Sequence, residues 1–298
     1  MTPRSIALEH SGARQRLADY AALTKPGLVA MVLVTTAVGF YLGSTGPIDV
    51  GRLIATVVAT AIAAGGTLAL NQYIERDLDA RMERTRNRPL PDGRLQPVEA
   101  LAFGAALTSV GLLFSMAISP LCGLVTATTV VSYLFLYTPL KRRTSLCTLF
   151  GALPGALPPL TGWAAASGDI SLGGWVLFSI LFLWQLPHSL AIAWLYREDY
   201  ARAGMKLLPV VDPDGGSTRR QILINCLALL AVALLPSLLG VTGRVYFVAA
   251  AVLGASLLWF GVRLARDCSR ESARHLLWAT LAYLPLLLTI MAIDKVSL

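Results

Sequence analysis

Runs of about 20 apolar residues recur along the chain, each closed by a short polar stretch. Nine are marked, near residues 27–45, 53–74, 97–118, 120–138, 146–167, 173–196, 221–240, 245–263 and 276–293. A helix of that length spans the roughly 30 Å hydrocarbon core of a bilayer. The ten-residue segments of alternating hydrophobicity that mark a membrane barrel are absent. In lipid every backbone group needs an internal partner, which leaves helices. The pattern therefore predicts an all-α polytopic membrane protein with nine transmembrane helices.

Charge orients this arrangement. With nine spans, 22 of the 25 Lys and Arg residues fall on one side, leaving only Arg52, Arg244 and Lys295 for the other. By the positive-inside rule the N-terminus is cytoplasmic and the C-terminus outside. The chain is 55% hydrophobic with a mean hydropathy of +0.64. Most of its net charge of +8 is accounted for by orientation and by anionic headgroups, so no nucleic acid partner is expected; the cluster from Arg76 to Arg94 is too dense for orientation alone. The partner surface is membrane lipid. Cys122, Cys147, Cys226 and Cys268 are scattered, without metal or disulfide spacing. Residues 1–18 lack a signal-peptide core and read as a flexible cytosolic tail. No linker parts the remainder, so 19–298 is expected to be a single transmembrane domain.

Two dense polar segments fall on the cytoplasmic side. The first runs from Asn71 to Asp79 and on through Arg84, Arg86 and Arg88 to Pro89. Asn71, Glu75 and Asp79 are spaced i, i+4, i+8, which confines them to about 80° of a helix. Asp77 falls on another face. Magnesium takes hard oxygen ligands and commonly binds through one or two carboxylates plus substrate phosphates. Arg84 and Arg88 offer planar forks for phosphate oxygens. The plainer alternative is a solvated helix end whose acids balance nearby arginines.

The second segment holds Trp184, Gln185, Pro187 and His188, then Tyr196, Glu198, Asp199 and Tyr200. His188 lies eight residues before Tyr196, about 12 Å deep on a regular helix. An ionisable group at that depth is a functional candidate. Iron or metal ligation and proton transfer all suit it, as does a neutral ring bonded across helices. Continuing the helix aligns His188, Ile192, Leu195 and Asp199 on one face. Glu198 and Asp199 are candidate metal ligands, or else plain salt-bridge partners of Arg197 or Arg202; Tyr196 and Tyr200 are candidate donors. Between the two segments, Tyr137 to Arg143 closes a span; a lysine at such an end is usually an anchor, yet Lys141 is well placed for phosphate. Gly151, Pro154, Gly155, Pro158, Pro159 and Gly162 crowd the fifth run, as in close helix contacts or a broken helix lining a cavity.

These residues resemble a known family. The blocks are Asn71-x-Tyr73-x-Glu75-Arg76-Asp77-x-Asp79, Met82-x-Arg84-Thr85-x-x-Arg88-Pro89, Gly155 to Trp163, Trp184-Gln185-x-Pro187-His188, and Asp199 to Gly204. Together they resemble the intramembrane prenyltransferases of 4-hydroxybenzoate polyprenyltransferase type, and within them the haem-farnesylating branch. Gln72 and Glu75 stand where the wider family usually has Asp, and Ser189 and Cys147 where it usually has Phe and Asn. Tyr196 and Tyr200 stand where members acting on aromatic acids carry a second Asp pair.

The resemblance implies helices around a central cavity in a bacterial plasma (inner) membrane, with the active site facing the cytoplasm. It implies Mg²⁺ as cofactor at Asn71, Glu75, Asp79 and Asp199. It implies farnesyl diphosphate gripped by Arg84, Arg88, Lys141 and Arg142, with Tyr137, Tyr196 and Tyr200 beside it. It further implies haem b as acceptor, with His188 in a catalytic or haem-orienting role. The product would be hydroxyethylfarnesyl haem, passed to a downstream haem-modifying enzyme. Prenylation of a quinone precursor is the second reading, and transport a third.

Overall fold

The computed structural model describes residues 3–296, with side chains described from Gly12 onward. Apart from one isolated antiparallel bridge between Thr242 and Lys295, its regular elements are helices. In order these are α1 (Pro3–Thr24), α2 (Pro26–Gly43), α3 (Val50–Asp79), α4 (Pro97–Ile118) and α5 (Pro120–Leu140). Then come α6 (Cys147–Ala156), α7 (Pro158–Ser167), α8 (Leu172–Leu195), α9 (Arg197–Arg202) and α10 (Leu208–Val211). The last three are α11 (Gly216–Leu238), α12 (Arg244–Asp267) and α13 (Arg270–Ile293).

Local chemistry sets the boundaries. Proline occupies the first turn of α2, α4, α5 and α7, where a missing N–H leaves nothing unpaired. Asp49 accepts from the Arg52 N–H to cap α3, and Ser119 and Ser269 do the same for α5 and α13. Within α5, Ser132–Tyr137 winds as a π-helix, and the Thr138 hydroxyl donates to the Tyr133 carbonyl. Such wider turns gather at functional sites.

Among the described residues, eight helices are long and apolar enough to cross a bilayer: α2, α3, α4, α5, α8, α11, α12 and α13. The apolar run at 146–167, expected as one span, is instead two ten-residue helices, α6 and α7, that meet at Leu157. The cause is local. Pro158 and Pro159 bring no N–H to the ladder, and their rings crowd the carbonyls one turn back. The pair still traverses the bundle. Cys147 packs with Met82 and Met205 at one end, and Trp163 with Leu42 and Val176 at the other. The tail expected to be loose over 1–18 is helical from Pro3 within α1; residues 1–2 lie outside the described residues.

The helices close into a ring. α3 packs on α4, α4 on α5, α5 on α6, α6 on α8, α8 on α11 and α13, α13 on α2, and α2 on α3, with α7 against α2. Contact between α2 and α7 is backbone-close. A Cβ on Gly162 would collide with the Thr36 carbonyl oxygen, so only glycine fits there. At the end remote from the charged segments, Lys295 Nζ donates to the Tyr41 and Ser44 carbonyls (2.7 and 2.8 Å), fastening the chain end to α2. Large apolar side chains such as Leu113, Phe135, Trp259 and Trp278 stay exposed on the outer surface, as a lipid-facing wall requires. Inside the ring α2, α3, α5, α6, α7, α8 and α13 enclose a cavity of about 480 Å³.

Candidate functional site

The site begins with the unbroken length of α3. Thirty residues rise about 45 Å, more than a bilayer core, so its last turns project beyond the apolar span. Asn71, Glu75 and Asp79 share the inward face and are buried, whereas the Asp77 side chain is 79% exposed beside Arg76. The turn after α3 then folds back. The Thr85 hydroxyl donates to the Asp79 carbonyl at 2.8 Å, and this return brings Arg88 onto the Asp79 carboxylate at 2.6 Å.

The other helices complete the pairing. Lys141, at the end of α5, donates to both Glu75 oxygens at 2.8 and 3.0 Å, with its ammonium 4.5 Å from the centre of the Tyr137 ring. The Asn71 amide donates to the Thr138 hydroxyl at 3.2 Å, just past the π-helical turn. Each buried carboxylate thus carries its own cation, as desolvated charges must.

One residue of this cluster is not evident from sequence. Lys25 sits between α1 and α2 in a left-handed conformation (φ 51°), which turns its side chain inward. Its Nζ lies 3.5 Å from Asn71 Oδ1. Burial, then Arg88 and Lys141, pull its pKa down to about 7 against the pull of Glu75 and Asp79. Sequence offers it only as one more positive charge before a span.

Gln72 has a structural task. Its amide donates to the Ala22 and Leu23 carbonyls at 3.2 and 2.9 Å, tying the end of α1 to α3. A carboxylate cannot donate these bonds. Gln72→Glu should cost about 1–3 kcal/mol by setting a charge against two carbonyls. A lower thermal midpoint of the detergent-extracted variant would show it; an unchanged midpoint would dismiss this role.

The second segment meets the first across the cavity mouth. Arg84 donates to the Tyr200 hydroxyl at 3.2 Å and lies over the Tyr196 and Tyr200 rings. Arg202 pairs with Asp199 and reaches Glu83 at 3.7 Å. The Lys206 N–H donates to the Lys141 carbonyl at 2.7 Å. The expected alignment of His188 with Asp199 on one helix does not occur. At Tyr196 the backbone leaves the helix (φ −110°, ψ 23°), so α8 ends at Leu195 and Asp199 belongs to α9. Arg142 is exposed, and its side chain bonds to no other among the described residues.

Below the mouth the cavity is mainly apolar, with Tyr137, Arg84 and Tyr200 near its charged end and Gln185 and His188 in its wall. His188 lies beside Thr280 at 2.9 Å and stacks on Trp184. Gly155 makes room for Gln185; a Cβ there would strike the Gln185 amide.

The donor chemistry fits a hard divalent cation that arrives with its own ligands. Asn71, Glu75 and Asp79 present oxygens on one helix face, yet no group of three or more acid, His or Cys side chains among the described residues could hold an ion unaided. Remaining positions would fall to substrate oxygens, as is usual for magnesium. The cations Lys25, Arg84, Arg88 and Lys141 are the complement of a polyanion.

The protoheme IX farnesyltransferase of Solibacter usitatus is 48% identical over 94% of this chain and 99% of its own length. Among solved structures, a digeranylgeranylglyceryl phosphate synthase superposes with a TM-score of 0.80 at 17% identity, covering 95% of this chain and all of that one. A UbiA homolog from Archaeoglobus fulgidus bound to GPP and Mg²⁺ gives 0.65 at 14% identity, over 92% and 99% of the two chains. The model of the UbiA prenyltransferase family matches residues 32–287, and this chain is a member of that family.

Proposed function

We propose that the chain transfers a farnesyl group from farnesyl diphosphate to a vinyl group of haem b, with addition of water, to give hydroxyethylfarnesyl haem. The single observation that carries this is a mouth of paired acids and cations set over an apolar cavity with a histidine in its wall. The similarity to protoheme IX farnesyltransferases supplies the acceptor. The missing second Asp pair, with Tyr196 and Tyr200 in its place, speaks against an aromatic acid.

Lys25, Arg84, Arg88 and Lys141 would hold the diphosphate, and the apolar wall the farnesyl chain. Asn71, Glu75 and Asp79 would hold Mg²⁺, with Asp199 at the opposite lip. When bound, the metal supplies Lewis-acid neutralisation of the leaving diphosphate. The carbon–oxygen bond breaks with its electrons going to the diphosphate, leaving an allylic cation. The dry wall shields that cation from early quenching. The haem vinyl π-electrons form the new carbon–carbon bond. Water then adds to the cation left on the former vinyl carbon and loses a proton. We place this mouth on the cytoplasmic side of a bacterial inner membrane, with the N-terminus cytoplasmic and the C-terminus outside, and treat residues 19–298 as one catalytic unit.

Membranes containing the protein, incubated with haem b, farnesyl diphosphate and Mg²⁺, should yield haem heavier by one farnesyl group plus water on mass spectrometry. Diphosphate consumption with unmodified haem would replace haem by another acceptor. No consumption by folded protein would reject the prenyl-transfer reading. Lys25→Met should raise the KM for farnesyl diphosphate about tenfold or more, the worth of a charged hydrogen bond. An unchanged KM would remove Lys25 from the diphosphate site.

A further inference from the structure

His188 stands in the cavity wall on α8 with its ring held in one setting. Its Nδ1 lies 2.9 Å from the Thr280 hydroxyl on α13. That hydroxyl has one proton, which it donates to the Leu277 carbonyl at 2.6 Å. What Thr280 Oγ1 turns toward the imidazole is therefore a lone pair, and the imidazole must be the donor. A neutral ring with its proton on Nδ1 keeps a lone pair on Nε2.

The ring is also kept from turning over. The Trp184 indole stacks on it at 4.8 Å between centroids and 17° between planes. The Trp184 Nε1–H is itself donated to the Thr280 carbonyl at 2.8 Å. Thr280 is thus gripped twice, through its backbone by Trp184 and through its side chain by His188, one turn apart on α8. No side chain among the described residues hydrogen-bonds Nε2, while His188 lines the cavity.

We infer that Thr280 is a positioning residue: it holds His188 as the Nδ1–H tautomer and so presents Nε2 to the cavity as an electron-pair donor. In that state His188 can ligate an iron or accept a proton, but it has no cavity-facing proton to give. A ligating histidine commonly donates its other nitrogen to a fixed acceptor, which sets ring orientation and raises basicity. That Nε2 takes up haem iron rests on the reading of the previous subsection; the tautomer does not.

The test is ¹⁵N magic-angle-spinning NMR of histidine-labelled protein in lipid bilayers, with the His188 signals identified by their loss in His188→Asn. Wild type should show a neutral ring protonated at Nδ1, Thr280→Ser should keep that state, and Thr280→Val should move the proton to Nε2 or mix the two forms. A wild-type ring protonated at Nε2, or an unchanged tautomer in Thr280→Val, would overturn the assignment. The wild-type spectrum decides by itself should Thr280→Val fail to fold. In parallel, ferric haem b is titrated into the same proteins and followed at its Soret band. Thr280→Val should weaken binding about tenfold or more, with Thr280→Ser restoring it. The expected tautomer in a wild-type protein that binds no haem would uphold the role of Thr280 and reject the haem reading instead.

Discussion

Asp79→Asn should abolish farnesyl transfer while leaving the protein folded in its membrane. Asp79 is buried, its side chain 2% exposed, and its carboxylate is bonded to Arg88 at 2.6 Å, at the end of the helix face shared with Glu75 and Asn71. Asparagine keeps the shape and an oxygen for Arg88 to bond, and Thr85 still binds the backbone carbonyl of residue 79. What is lost is one negative charge where a divalent cation and a leaving diphosphate are to be balanced. Losing a preorganised electrostatic contact of this kind typically lowers turnover by about 10²–10³-fold. Mass spectrometry of extracted haem reads the loss, and fluorescence-detected gel filtration shows whether the fold survives. Turnover near wild type in a folded variant would remove Asp79 from the metal site.

Gly162→Val should have the largest effect on the fold. The α2–α7 contact brings the residue 162 backbone against the Thr36 carbonyl, with Phe40 beside it, and no flexible side chain stands there to move aside. Overpacking of a tight core costs about 1–3 kcal/mol and more where backbone must shift. For a chain of this size that lowers the apparent Tm by about 5–10 °C, or leaves too little folded protein to extract. Because α2 carries cavity-lining residues such as Met31 and Thr35, any variant that survives should also lose activity. A midpoint within a degree of wild type would show that α2 and α7 are not in close contact in the membrane.

The sequence made some of this legible and hid the rest for physical reasons. The face formed by Asn71, Glu75 and Asp79 could be read because α3 stays regular to its end, so a fixed step of 100° per residue holds. The same step fails after Tyr196, where one non-helical residue rotates Asp199 away from the line through His188. Periodicity carries no warning of a single break without Gly or Pro. The division between α6 and α7 is signalled by Pro158 and Pro159, although their place alone does not say whether a helix kinks or stops. Lys25 was hidden because a lysine before a span is normally an anchor, and its inward direction depends on one left-handed residue. Thr280 was hidden because a threonine in a transmembrane helix usually bonds its own backbone. Here that bond, to Leu277, leaves a lone pair for a partner 92 residues away.

The pairing of Glu75 with Lys141 and Asp79 with Arg88 has a thermodynamic consequence for ligand order. Before any ligand arrives, the carboxylates of Glu75 and Asp79 are each already matched by a base. A diphosphate entering alone would draw Lys141 and Arg88 away and strand two carboxylates in a poorly solvated space. A divalent cation entering alone would claim the carboxylates and strand the two bases. Each visitor by itself must break good pairs and leave orphans behind. Arriving together, they exchange partners without leaving a charge unmatched. On that assignment the two affinities would be reciprocally linked, each strengthening the other by the same factor, and the resting site would discriminate against either one alone.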